Sequence, residues 1–143
     1  MNAFAATPLL VLPALAYNIF ALTLAGGFKA KDATAKLAQP LFSFTTGAGV
    51  VWPVTFADLL LGVALVVLFI ELIKSTTSRR VAIINHSLSM LLFVGVLVEL
   101  LLAPAFATST FFLIVLMVLL DVLAGFIMTI VAARREVDVV NER

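Results

Sequence analysis

The stretch TFFLIVLMVLLDVLAGFIMTIVAA, Thr110 to Ala133, decides the fold. At 1.5 Å per residue it reaches about 36 Å as a helix, enough to cross the roughly 30 Å hydrocarbon core of a bilayer. One residue interrupts its apolar character: Asp121, near the middle. A carboxylate at mid-bilayer costs at least about 2.5 kcal/mol on insertion scales, so Asp121 requires a partner or a proton and is a functional-site candidate by position alone.

Three further segments have the length and composition of membrane spans: Pro8 to Gly27, Phe56 to Lys74 and Val81 to Ala103. The whole chain agrees, with 64% hydrophobic and 12% charged residues over 143 positions and a mean hydropathy of +1.24, outside the range of soluble domains. The expected fold class is an all-α membrane protein: one domain over residues 1–143, a bundle of four transmembrane helices, and an outer loop over 28–55 that carries a short extracytoplasmic β-hairpin. The first segment has no Lys or Arg before Lys29, so it lacks the basic flank of a secretory leader and reads as the first membrane helix.

Orientation follows from the basic residues in short connections. Lys74, Arg79 and Arg80 flank the tight link between the second and third spans, and Arg134, Arg135 and Arg143 follow the fourth. Lys29, Lys31 and Lys36 lie in the longer opposite loop, where charge counts for less. Both termini are therefore expected in the cytoplasm, and the mixed charges from Arg134 to Arg143 suit a solvated or frayed helix end. The net charge of +1 carries no message about nucleic acid, and no nucleic-acid partner is expected. The absence of cysteine excludes disulfides, thiolate nucleophiles and Cys-ligated metals.

Within the outer loop, Phe28 to Ala38 suits a short interfacial helix or a solvated link. Leu41 to Thr46 and Val50 to Phe56 alternate apolar and small polar residues around Gly47-Ala-Gly49, the pattern of a hairpin. Phe42 and Phe44 are expected to share a face with Trp52, Val54 and Phe56, and Pro53 requires an edge position. The preferred reading is a plug over the helix ends; a docking surface is the alternative.

Each ionisable group inside a span has an ordinary reading and a sharper one. Thr55 and Asp58 have capping-box spacing at a helix start, a structural helix-end role. Glu71 and Lys74 are three residues apart at the cytoplasmic end of the second span, so the pair can meet on one helix face while Lys74 reaches the headgroups, a structural helix-end role; the rival is a contact between Glu71 and His86. On the third helix, residues 85, 89, 92, 96 and 99 fall in one narrow arc, so Asn85, Ser89 and Glu99 share a stripe that should face protein. Glu99 has no basic residue at its depth, so it is protonated, hydrogen-bonded or reached by water.

For Asp121 the natural partner is Asn18, or its neighbour Tyr17, near the middle of the first span. Pro13 is expected to kink that helix and free a carbonyl. Met117, Gly125 and Met128 lie on the Asp121 stripe and give it the character of a packing face. The preferred reading is a neutral carboxyl that joins helices, and the sharper one a proton-carrying acid.

Neither a zinc-protease, serine-hydrolase, P-loop nor dinucleotide-turn motif is present, and neighbouring His86, Ser87 and Ser89 point apart on a helix. One histidine cannot supply both axial ligands of a bis-histidine haem or a three-ligand zinc site, so no catalytic residue, metal or cofactor is expected. Two function classes follow. The first is a non-enzymatic accessory or structural subunit in the lipid bilayer, packing in a homo-oligomer or a larger membrane complex. The second is a proton-linked carrier or channel formed by oligomers, using Asp121 and Glu99.

Ile83-Ile-Asn-His-Ser-Leu-Ser-Met90, Ala107-Thr-Ser-Thr-Phe-Phe-Leu-Ile114, Leu120-Asp-Val122 and Gly125-Phe126 resemble a group of uncharacterised small four-span bacterial inner-membrane proteins. The resemblance runs from Leu41 onward. It implies a bacterial cytoplasmic membrane and four helices, and transfers no activity and no functional residue.

Overall fold

The computed structural model describes residues 7–74 and 79–141, with side chains over 7–74 and 83–131. The chain is mostly helical, in the order α1 (Val11–Thr23), α2 (Ala33–Leu37), β1 (Pro40–Thr45), β2 (Val51–Thr55), α3 (Phe56–Lys74), α4 (Arg79–Leu102), a single 3-10 turn (Pro104–Phe106) and α5 (Ser109–Asn141). The link between α3 and α4 falls at 75–78, outside the described residues, as do the side chains of Arg79, Arg80, Arg134, Arg135 and Arg143. The backbone of α5 continues as helix to Asn141, past the point where a frayed end was expected.

Among the described residues, three helical stretches are long and apolar enough to cross a membrane: Phe56–Lys74, Ile83–Leu102 and Ser109–Val131. The expected first span is shorter than its apolar segment, because α1 covers only Val11–Thr23, about 20 Å. Its C-terminal end is set by Gly26 and Gly27, whose φ angles of 94° and 104° turn the chain away. Pro13 does not kink it: the residue lies in the first turn, where a missing N–H removes no helical hydrogen bond.

α5 is the central element, packing against α4, α3 and α1. Near the hairpin end the core is aromatic. Tyr17 lies 4.6 Å from Phe111 and 5.4 Å from Phe106, centroid to centroid, and Phe20 stacks on Phe56 at 5.4 Å. Towards the opposite end Leu10, Ala64, Leu68, Met117 and Val118 fill the interior. Ala33 and Leu37 of α2 bury against the aromatic end, while Lys36 and Asp32 form an exposed i, i+4 ion pair at 3.3 Å, as suits an interfacial helix.

The hairpin forms where the alternation places it. β1 and β2 are antiparallel, with Phe42 opposite Val54 and Phe44 opposite Trp52, so these four share one face; the Phe44 and Trp52 rings meet at 5.2 Å. Gly49 takes a φ of 77° in the turn. The plug expectation is corrected, however. Phe42, Phe44 and Trp52 each remain about half exposed and only Val54 buries, so the shared face is not closed over by the helices. The capping box is present in full: Asp58 accepts from the Thr55 backbone N–H at 2.9 Å and from its hydroxyl at 2.7 Å, and Thr55 Oγ1 accepts from the Asp58 N–H at 3.2 Å.

Candidate functional site

Glu71 is the centre of the polar interior. Its side chain is fully buried, and the pair expected with Lys74 on one helix face forms there. Lys74 Nζ lies 3.0 Å from Glu71 Oε1 and donates to the Thr7 carbonyl at 2.6 Å. The Asn85 side-chain amide donates to the same Oε1, and the Leu9 backbone N–H donates to Oε2 at 2.8 Å. The last contact has a local cause. α1 has no capping side chain of its own at Leu10, so its first N–H groups turn to backbone carbonyls, Val11 to Pro8 and Leu12 to Leu9, while the Leu9 N–H just before the helix is met by the carboxylate from α3.

Asp121 lies one layer away, fully buried. At 1.5 Å per residue it stands about 18 Å from the start of α5, and Ser89 about 20 Å from the end of α4, so the two share a level. Ser89 Oγ lies within reach of the Asp121 carboxyl, and Glu71, His86 and Lys74 stand farther off around it. Neither Asp121 oxygen, nor Ser89 Oγ, nor Asn85 Oδ1 makes a hydrogen bond within the described residues. The expected pairing of Asp121 with Asn18 or Tyr17 does not form, because Asn18 stands only about 8 Å from the hairpin end of α1 and is too shallow.

Asn18 instead donates to Glu99 Oε2 at 3.1 Å and to the Ala14 carbonyl at 3.2 Å. Both Asn18 and Glu99 are half buried. They lie on the floor of a groove of about 710 Å³ between α1 and α4, otherwise lined by apolar or small side chains such as Ala14, Leu15, Leu91 and Gly95. The α4 stripe read from the sequence behaves as expected, with Asn85, Ser89 and Val96 buried and Leu92 and Glu99 half buried.

Tyr17 serves the hairpin end. Its hydroxyl donates to the Ala105 carbonyl at 3.0 Å and lies 2.7 Å from Thr108 Oγ1, which in turn accepts from the Phe111 N–H at 3.1 Å and caps α5. Sequence reading missed this link, whose only signal was a threonine just before a helix start.

His86 does not meet Glu71. Its ring packs against Gly125 so closely that a Cβ there would overlap it, and it borders a cavity of about 280 Å³ with Ile83, Met90, Val122 and Thr129. Neither ring nitrogen has a hydrogen-bond partner among the described residues. Of the methionines on the Asp121 stripe, Met117 is buried and Met128 faces outward. Among the described residues no group of three or more His, Asp and Glu side chains converges as a metal centre would require. Comparisons with protein-family models, with curated proteins and with solved structures return no match.

Proposed function

We propose that the chain is a non-enzymatic, four-span integral protein of the bacterial cytoplasmic membrane, with both termini in the cytoplasm, that acts as an accessory subunit of a membrane assembly. In this reading the segment from Pro8 to Gly27, which contains α1, makes the first crossing. The groove between α1 and α4 receives a transmembrane helix of another subunit that carries a hydrogen-bond donor for Glu99.

The observation that carries the reading is the Asn18–Glu99 pair, half buried on the floor of that groove. Facing hydrocarbon, a carboxylate with one side-chain donor is expensive, and a covering helix with a second donor removes the cost. The groove is long enough to seat several helical turns: its lining on α1 runs from Val11 to Leu22, about 17 Å along the helix axis. Ala14 and Gly95 on the floor let a second backbone approach, and a Cβ at Gly95 would meet nothing within 4 Å.

A photo-reactive residue at Leu15 or Leu91, both in the groove lining, tests the proposal in native membranes. The expected product is one discrete protein adduct that Glu99→Leu abolishes. An adduct at twice the 15.3 kDa chain identifies a second copy, and another discrete mass identifies a different subunit. Lipid adducts alone, with a monomer after mild detergent extraction, overturn it.

A further inference from the structure

We propose that Asp121, Ser89 and Asn85 form a binding site for a small monovalent cation, a proton or Na⁺, between α4 and α5 at the level where α1 begins. The site goes beyond the subunit reading and does not depend on it.

The argument is a count of donors and acceptors. Both oxygens of Asp121, Ser89 Oγ and Asn85 Oδ1 are buried and make no hydrogen bond among the described residues. Asn85 has committed one of its two amide hydrogens to Glu71. The three residues therefore present three acceptor oxygens against two hydrogens, one from the Ser89 hydroxyl and one from the Asn85 amide. Two hydrogens cannot serve three acceptors, and a buried carboxylate without compensating charge is strongly disfavoured. A cation supplies what is missing.

Glu71 does not compete for that cation. Its two oxygens are already engaged by Leu9, Asn85 and Lys74, and its charge is matched by Lys74. The charged and titratable groups facing Asp121 are thus Glu71 and Lys74 from α3 and His86 from α4, while α1 contributes only backbone groups at this level. With the Glu71–Lys74 pair neutral as a unit, Asp121 is the one carboxylate in the cluster without a counter-charge, and it calls for a single positive charge. The oxygen-only donors suit a hard ion and give no reason to expect a transition metal.

The full chain in lipid nanodiscs, studied by infrared difference spectroscopy between Na⁺ and choline buffers at fixed pH, tests the site. The expected result is a carbonyl band of a protonated carboxylic acid in choline that Asp121→Asn removes, Ser89→Ala shifts and Glu99→Gln leaves in place. If Na⁺ abolishes the band and releases a proton, both ions share the site; if Na⁺ leaves it unchanged, the occupant is the proton. Aspartate labelled with ¹³C in the unmutated chain identifies the same band by its isotope shift, so the test survives a variant that fails to fold. Absence of any aspartate acid band, together with no Na⁺-dependent change in the carboxylate region, overturns the proposal.

Discussion

Replacing Glu71 by alanine removes the acceptor for three donors at once, and the consequence can be worked out group by group. Leu9 N–H, the Asn85 amide and the Lys74 ammonium all bond to it, and its side chain has no exposed surface. Breaking a buried ion pair by deleting one partner costs about 3–5 kcal/mol, and each stranded neutral donor about 1–3. Two effects reduce the sum. Lys74 keeps the Thr7 carbonyl, and the membrane-unfolded state finds alternative partners, which holds interhelical hydrogen bonds to about 0.6 kcal/mol on average. The expected net loss is on the order of 3 kcal/mol.

Glu71→Gln, which keeps an acceptor but not the charge, should lose about 1–2 kcal/mol. Glu71→Ala with Lys74→Met should recover roughly half of the alanine loss, because the stranded charge disappears. Reversible unfolding by increasing SDS fraction in mixed micelles, followed by far-ultraviolet circular dichroism, measures all three. A loss below about 1 kcal/mol for Glu71→Ala, or no recovery in the double variant, refutes the reasoning.

Three further outcomes are expected. Gly125→Ala drives a methyl group into the His86 ring and should cost about 1–3 kcal/mol, but much less in a His86→Ala background; equal costs in the two backgrounds would contradict the contact. Tyr17→Phe removes the links to Ala105 and Thr108 and should lower stability by about 1–2 kcal/mol, with helix content by circular dichroism unchanged. Trp52, the only tryptophan, lies on the exposed hairpin face, so its fluorescence should be quenched by lipids brominated near the headgroup and shielded from aqueous iodide; the opposite pattern would place the hairpin in water.

Local features were legible in the sequence and cross-chain ones were not. The hairpin, the Thr55–Asp58 box and the buried α4 stripe each follow from spacing within a single element, which the backbone fixes without reference to the rest of the protein. A helix running from Pro8 to Gly27 would put Asn18 at mid-depth, level with Asp121. The helix is shorter, and its hairpin end brings Asn18 to Glu99 instead. Glu71 looked ordinary because its i, i+3 spacing to Lys74 suffices for a helix-end pair, whereas its ties to Leu9 and Asn85 depend on how three helices meet. The fit of His86 against Gly125 is of the same kind: no periodicity links residues on different helices.

The dependence of α1 on Glu71 also imposes an order on biogenesis. A nascent chain exposes the start of α1 long before residue 71 has been synthesised, so the Leu9 N–H waits for its carboxylate partner. Arrival of α3 supplies it. The stretch that leads into the earliest helix to be translated is therefore tied down only when a later one docks beside it, and a chain truncated before residue 71 lacks that tie.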